Sequence, residues 1–188
     1  NLSLYFSTTD GVEFNGLSGV VLADIPATNG IIHVVDAVIG LPTVVTFATS
    51  NPMFETLVAA LTREDLTTDY VSVLSSVASP SPFTVFAPTN EAFGSLLTEV
   101  GMSSLSEIPV DLLTSTLNTH VVASANVRSG DLTQGMAVST LGDALTVSLD
   151  AGRQLIDLND RVANIIEVDV QAYNGVVHVI DKVVLPQL

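Results

Sequence analysis

The chain has 188 residues, with 20 acidic and 5 basic side chains, a formal net charge of −15 and no cysteine. Such a charge repels phosphate backbones, which excludes nucleic acid as a partner, and it disfavours anionic membrane surfaces; the lack of cysteine excludes a disulfide scaffold and thiol chemistry. Hydrophobic residues make up 47% of the chain, yet no uninterrupted apolar run reaches the ~20 residues of a membrane helix, so no segment is expected to insert into a bilayer.

The first 42 residues read as strands. Leu2, Leu4 and Phe6 alternate with Ser3, Tyr5 and Ser7, and Asp10-Gly11 is a hairpin signal. A second strand pair is expected at Val20–Asp24 and Ile31–Val38, split by a turn at Asn29-Gly30. That stretch carries the main organising signal. Asn29-Gly30-Ile31-Ile32-His33-Val34-Val35-Asp36 recurs as Asn174-Gly175-Val176-Val177-His178-Val179-Ile180-Asp181, 145 residues later (178 − 33). The repeat reads ungapped back to Leu4/Leu149, through Val21/Ile166, Asp24/Asp169 and Ala27/Ala172. Gly40 is inserted after Asp36, and both copies close on Leu-Pro, at Leu41-Pro42 and Leu185-Pro186. Internal repeats mark where units begin and end. Residues 1–42 are therefore expected to be the closing strands of a preceding unit, and 43–188 one complete unit. A ribbon of this kind is marginal alone in water, so 1–42 is expected to dock on 43–188 or to self-associate.

In the complete unit the first helix is expected at Asn51-Pro52, an N-cap followed by proline at the first helical position, with Met53, Phe54, Leu57, Val58 and Leu61 as its apolar stripe. A short helix is expected around Tyr70–Leu74. Ser79-Pro80-Ser81-Pro82 breaks the chain before a buried strand at Phe83–Ala87. Pro88-Thr89-Asn90 ends that strand and caps a helix whose stripe is Ala92, Phe93, Leu96, Leu97 and Val100; another helix follows Pro109, using Leu112, Leu113 and Leu117. From His120 the pattern is strand, at 120–122, 137–140, 145–149, 155–158, 165–170 and 176–185. Helices crowd the first half and strands the second, which is α+β order.

Two segments and a third between them resemble the fasciclin (FAS1) domain family. Phe83-Thr84-Val85-Phe86-Ala87-Pro88-Thr89-Asn90-Glu91-Ala92-Phe93 is similar to the family's first signature, and Asn174-Gly175-Val176-Val177-His178-Val179-Ile180-Asp181 with Leu185-Pro186 to its second. Asn118-Thr119-His120-Val121-Val122 is similar to its Tyr-His segment, with Thr119 where tyrosine is usual; Gly130-Asp131-Leu132 and Thr140-Leu141-Gly142 also fit. The resemblance covers 43–188, and 1–42 resembles the end of a preceding domain, with Asn29, Gly30, His33 and Asp36 repeating the second signature. It implies a wedge of two β-sheets with a helical layer packed on it, adhesion without catalysis, and tandem use on secreted or surface-anchored proteins. Animal members engage integrins, partly through the Tyr-His region; here Thr119-His120-Val121 is the corresponding candidate for interaction. There is no Arg-Gly-Asp, only Arg128-Ser129-Gly130-Asp131.

The residues themselves give both signatures a structural role. Phe83, Val85 and Phe93 are expected in the core, Pro88 to end the strand, Thr89 or Asn90 to cap the helix and Asn174-Gly175 to make a tight turn. His178 and Asp181 lie among apolar residues and must find partners. One of His120 and His178 is expected to hydrogen-bond Thr89 or Asn90. None of the 3 histidines sits in a metalloprotease motif, and no nucleophile elbow, phosphate loop or dinucleotide fingerprint is present, so neither an enzyme nor a cofactor is expected. Asp150 and the turn Asp157-Leu158-Asn159-Asp160 are the calcium candidates, but they lack the spacing of a calcium loop and are read as turns, with no metal assigned.

The expected function is an extracellular, secreted or surface-anchored adhesion module that binds a cell-surface or matrix protein. The alternative is a glycan or small ligand held in a cleft between sheet and helices. Glycan sites use exposed aromatics, and with no tryptophan only Tyr5, Tyr70 and Tyr173 are platforms.

Overall fold

A computed structural model describes residues 1–188. Strands β1 (Phe6–Ser7), β2 (Glu13–Phe14), β3 (Ser18–Ala27) and β4 (Gly30–Val35) form a four-stranded antiparallel sheet in sequence order. Five helices and seven strands follow: α1 (Val44–Ser50), α2 (Glu55–Leu61), α3 (Tyr70–Ser75), β5 (Phe83–Pro88), α4 (Asn90–Val100), α5 (Val110–Thr119), β6 (Val121–Val122), β7 (Ala137–Val138), β8 (Leu145–Ser148), β9 (Gln154–Ile156), β10 (Val162–Ala172) and β11 (Gly175–Ile180). The seven strands run in the order β6-β5-β11-β10-β9-β8-β7, and no strand of the first sheet pairs with them.

The seven-stranded array folds over at β10. Val162–Asn164 pair with β9, whereas Ile165–Ala172 pair with β11. The two halves face each other across one apolar cluster built from Phe86, Val138, Leu145, Val147, Leu155 and Ile180, among others. That is the interior of the wedge. On the opposite face of β5 and β11, Phe83, Ala87, Val177 and Val179 join Phe47, Phe54, Leu57, Phe93, Leu113 and Leu117 of the helical layer in a larger cluster. β5 and β11 are thus covered on both sides, as their unbroken apolar character requires, and they are the one parallel pair in the sheet.

The helix at 44–50 is not foreseen by the sequence reading. Val44, Val45 and Thr46 are β-branched, poor helix formers. Thr43 caps the helix through its side chain, and Thr46 returns the bond in a reciprocal capping box that uses threonine in place of the usual glutamate. Burial of Val44 and Phe47 in the helical cluster then outweighs propensity. Asn51-Pro52 does open a helical segment: Asn51 Oδ1 accepts the Met53 N–H, and a 3-10 turn leads into α2. At the amino terminus only Phe6–Ser7 is a strand. Ser3 instead binds Gln171 of β10 through its backbone N–H and its hydroxyl, and Tyr5 packs on the helical cluster. With the Tyr173 N–H donating to Pro42 O, these contacts seat the first sheet's start and end on the rest of the chain.

The repeat is visible in three dimensions, with one correction. The β3–β4 and β10–β11 hairpins share their register and both of their bulges, from Val20↔Val35 and Ile165↔Ile180 to Ala27↔Gly30 and Ala172↔Gly175, and Asp24 and Asp169 both have φ of 59°. Further upstream the ungapped alignment fails. Phe14 pairs with Ser18 as Leu155 pairs with Ala163, and Phe6 pairs with Phe14 as Val147 pairs with Leu155. Phe6 therefore matches Val147, not Ala151, and Gly11 (φ 107°) matches Gly152 (φ 102°). The turn Asn15-Gly16-Leu17 is shorter than its counterpart around Asp157–Arg161.

A second correction concerns the signature turns. Ala172 faces Gly175 across a two-residue loop, Tyr173-Asn174, so Gly175 is the first residue of β11. It does not adopt a left-handed backbone. Its lack of a side chain serves a close approach instead: a Cβ there would lie 2.2 Å from the carbonyl oxygen of Phe83. Gly175→Ala should therefore part β11 from β5 and cost about 3 kcal/mol or more. Urea unfolding of the variant beside the parent tests this; a loss below about 1 kcal/mol would show that the strands yield without penalty.

Candidate interaction surface

The polar side chains of the first signature are spent on holding the fold. Thr84 Oγ1 donates to Ala125 O (2.9 Å) and accepts from the Val127 N–H (2.9 Å), fixing the segment that crosses beneath the sheet. Thr89 is the N-cap of α4, accepting the Ala92 N–H at 3.2 Å. Asn90 accepts the Thr56 N–H (2.9 Å) and donates to Pro52 O (2.8 Å), which ties the start of α4 to the start of α2. Phe83, Phe86, Ala87 and Phe93 are fully buried, Pro88 closes β5, and Val85 is half-buried against the helical cluster.

The second signature works in the same way. Asn174 accepts the Val44 N–H and donates to Leu74 O and Ser76 O, so one amide joins the hairpin tip to α1 and α3. His178 is fully buried beside Phe86, ring centroids 5.7 Å apart. Its Nε2 donates to Val127 O (2.9 Å), and its Nδ1 accepts the Asp169 N–H (3.4 Å) at the β10 bulge. Val176 and Val179 are core. Asp181 is exposed rather than lodged among apolar residues; it accepts two bonds from Asn164, backbone and side chain, both at 2.7 Å. In the earlier copy Asp36 accepts the Gly19 N–H and His33 Nδ1 accepts the Asp24 N–H. Asn29 and Gly30 stand exposed.

Neither histidine reaches Thr89 or Asn90. His178 points to the wedge side of the sheet, away from α4, and it pairs in register with Phe86, short of the strand end where Thr89 begins. His120 ends α5. Its Nδ1 donates back to Thr116 O (2.7 Å), and its Nε2 accepts the Val184 N–H (3.2 Å). Thr119, His120 and Val121 are all buried, so this segment as folded offers no side chain to a partner. Thr119 has a packing role: a Cβ at Gly142 would lie 2.5 Å from its Oγ1, which accounts for the glycine of Thr140-Leu141-Gly142.

The calcium candidates are also engaged. The buried Asp157 carboxylate accepts the N–H groups of Asn159, Arg161 and Leu185. Asn159 donates to Pro186 O and accepts the Leu188 N–H. Together with His120 on Val184 and Asp143 on Gln187, they clamp the closing segment of the chain. This clamp is what sequence reasoning missed; an Asp followed two residues later by an Asn reads as a turn, and nothing local reveals what else the turn holds. At Arg128-Ser129-Gly130-Asp131 the Asp131 carboxylate turns back to the Arg128 N–H, and Ser129 is bound to Asp169.

The exposed surface is therefore where any partner must bind. Among the tyrosines Tyr173 is exposed, Tyr5 is half-buried, and Tyr70 is buried with its hydroxyl donating to Asn118 Oδ1. One cavity between sheet and helices is lined by apolar side chains apart from His120, both of whose nitrogens are used; a second, larger cleft between Phe47 and Phe54 of the helical layer and Val177 and Val179 of the sheet also carries Ser3, Asn51 and Glu167. Exposed apolar side chains gather in the first sheet, at Phe6, Val21 and Ile31, and in the segments beside it, at Leu17 and Val38.

Burial disfavours the charged form of His120 and lowers its pKa from 6.5 to about 4, against the opposing pull of Thr116 O and Asp157. The His178 pKa is also lowered, again chiefly by burial. When a folded-state pKa is depressed, the unfolded chain binds protons first as pH falls, so stability is full above pH ~6.5 and is lost progressively down to about pH 4. For His120 that loss is on the order of 3 kcal/mol. Unfolding free energies between pH 7 and pH 4.5 should fall with pH in the parent and fall less steeply in His120→Gln, whatever that variant's absolute stability. An unchanged slope would remove His120 as the cause.

A family model described as the Fasciclin domain matches residues 1–42 and 52–186. Protein sll1483 of Synechocystis sp. is 37% identical over 146 residues, which cover 78% of this chain and 74% of that protein. Human periostin is 28% identical over 201 residues, covering 99% of this chain but 21% of its own length, so the chain spans about a fifth of that relative. Among solved structures, a FAS1 domain pair from the insect cell adhesion molecule Fasciclin I superposes with a TM-score of 0.62 at 23% identity, over 97% of this chain and 66% of that one. That likeness carries the fold, and none of these proteins bears an enzyme's name. By its family match and its wedge of sheets under a helical layer, the chain belongs to the fasciclin domain family.

Proposed function

We propose that residues 43–188 are one complete fasciclin domain acting as a non-enzymatic adhesion module outside the cell, preceded in 1–42 by the closing strands of another. The family match supports this together with the company its members keep, an insect cell adhesion molecule among them. The single structural observation that carries the non-catalytic reading is the fate of the signature side chains. Thr84, Thr89, Asn90, Asn174, His120 and His178 each bind backbone groups, and no histidine is paired with a hydroxyl as nucleophilic catalysis requires. What remains for recognition is a strongly acidic exterior, suited to a basic face on a protein of the cell surface or matrix.

The glycan alternative has little to stand on. Tyr173 is the one exposed tyrosine, and the cavity that His120 lines offers no free polar group.

Beads coated with the chain should retain a protein from a cell-surface or matrix extract, less strongly as salt is raised because the contact is between charges. Retention should survive enzymatic removal of glycans from the extract. Retention abolished by deglycosylation, or by Tyr173→Ala alone, would sink the protein-adhesion reading in favour of the glycan one.

A further inference from the structure

β10 carries one acid on the face it turns to the helices. Glu167 pairs with Val179 and Val170 with Val177, and cross-strand partners share a face of the sheet. Val177 and Val179 are buried in the helical cluster. Glu167 therefore stands beside apolar side chains on the side where the larger core is built. The bulge does not demand an acid there: at the same place in the β3–β4 hairpin, Leu22 pairs with Val34. Glu167 takes part in neither of the chain's ion pairs, Arg63–Asp65 and Arg161–Glu99, and its carboxylate accepts no hydrogen bond. None of the 5 basic side chains lines the space in front of it.

That space is a cleft of ≈ 370 Å³, a size that falls among small-molecule sites, roughly 300–1,000 Å³. Phe47 and Phe54 of the helical layer meet Val177 and Val179 in it, and Ser3, Tyr5 and Asn51 add polar atoms at its walls. Those walls are held in place without a ligand. Ser3 is bonded to Gln171 through backbone and hydroxyl, and the Tyr5 N–H donates to Asn15 Oδ1. Asn51 uses Oδ1 to cap the 3-10 turn, which leaves its Nδ2 free to donate. Apolar walls with a few fixed polar groups are the make-up of a ligand site.

We infer that this cleft is a binding site for a small organic ammonium ion with a bulky apolar or aromatic body. The ammonium donates to the Glu167 carboxylate, and the body lies against Phe47, Phe54 and the two valines. Other ligand chemistries fit worse. A carboxylate or phosphate would face Glu167 in a chain of net charge −15. Calcium needs a shell of several oxygens, and one carboxylate lines the cleft. The site stands apart from the adhesion reading and does not depend on it.

Titration of the 188-residue chain with phenethylammonium, followed by amide NMR, tests the inference. Shifts should centre on Leu4, Asn51, Glu167 and Val170. Phenethyl alcohol, the neutral mimic, should bind more weakly, and hydrocinnamate, the anionic one, should not bind. Glu167 is exposed to solvent, so Glu167→Gln removes the charge with little risk to the fold. It should weaken the ammonium by about 5-fold and leave the alcohol unchanged. Glu64→Gln, at an exposed acid outside the cleft, should change neither. Butylammonium should bind less tightly than phenethylammonium, because it covers less of the apolar lining. The inference fails if no shifts appear, if they centre elsewhere, or if the alcohol binds as tightly as the ammonium. It fails too if both glutamine variants weaken the ammonium equally, which would make the attraction a matter of net charge. Equal binding of butylammonium would assign the cleft to a lysine side chain of a partner protein and overturn the inference as well.

Discussion

The structure depends on the close parallel seating of β11 against β5. Glycine at 175 lets the two backbones meet where any side chain would collide with the Phe83 carbonyl. From that contact outward, one face of the strand pair closes the wedge and the other receives the helices. Each fully buried large apolar side chain is worth about 1.5–3 kcal/mol, and both clusters draw on the same two strands, so a change of register would expose both at once. Parallel pairing also needs a long crossover. Here everything from α4 to β10 lies between the partners, which places the two signature motifs far apart in sequence and side by side in space.

Polar residues inside this assembly act as fasteners between layers. Asn174, Asn90, Thr84, His178, His120 and Asp157 each join two or more segments remote in sequence. Buried polar groups left without such bonds would each be costly, which gives the polar side chains of both signature segments of this chain a structural role. It also explains the neutral histidines. His120 and His178 each have one ring nitrogen against a carbonyl and the other accepting an amide, an arrangement that suits the uncharged ring alone. The outer surface is acidic, and Phe6 and Tyr173 are its exposed aromatic side chains.

Much of this was legible in the sequence. The strand at Phe83–Ala87, the capped helix after Pro88, the helix after Pro109 and the closing hairpin follow from apolar periodicity, proline and capping residues, which act locally. The repeat of Asn29–Asp36 in Asn174–Asp181 marks two copies of one hairpin. What local patterns could not give was α1, where burial of Val44 and Phe47 overrides β-branched propensity, and the partners of the histidines, since a hydrogen bond to Val127 or Val184 depends on which loop arrives beside the ring. The shortened turn at Asn15–Leu17 was hidden as well, because shortening a turn leaves the flanking alternation intact.

The sequence by itself determined the family, the α+β order, the twofold occurrence of one hairpin and an exterior charged against nucleic acid, because these reside in composition, spacing and short-range pattern. Only the tertiary structure decided that Gly175 serves a strand contact and not a turn, that Thr119-His120-Val121 lies inside, that Asp157 and Asn159 grip the chain's end, and that β4 stands bare where β11 is enclosed. Those outcomes turn on how closely distant backbones approach each other, and that distance is set by packing in three dimensions.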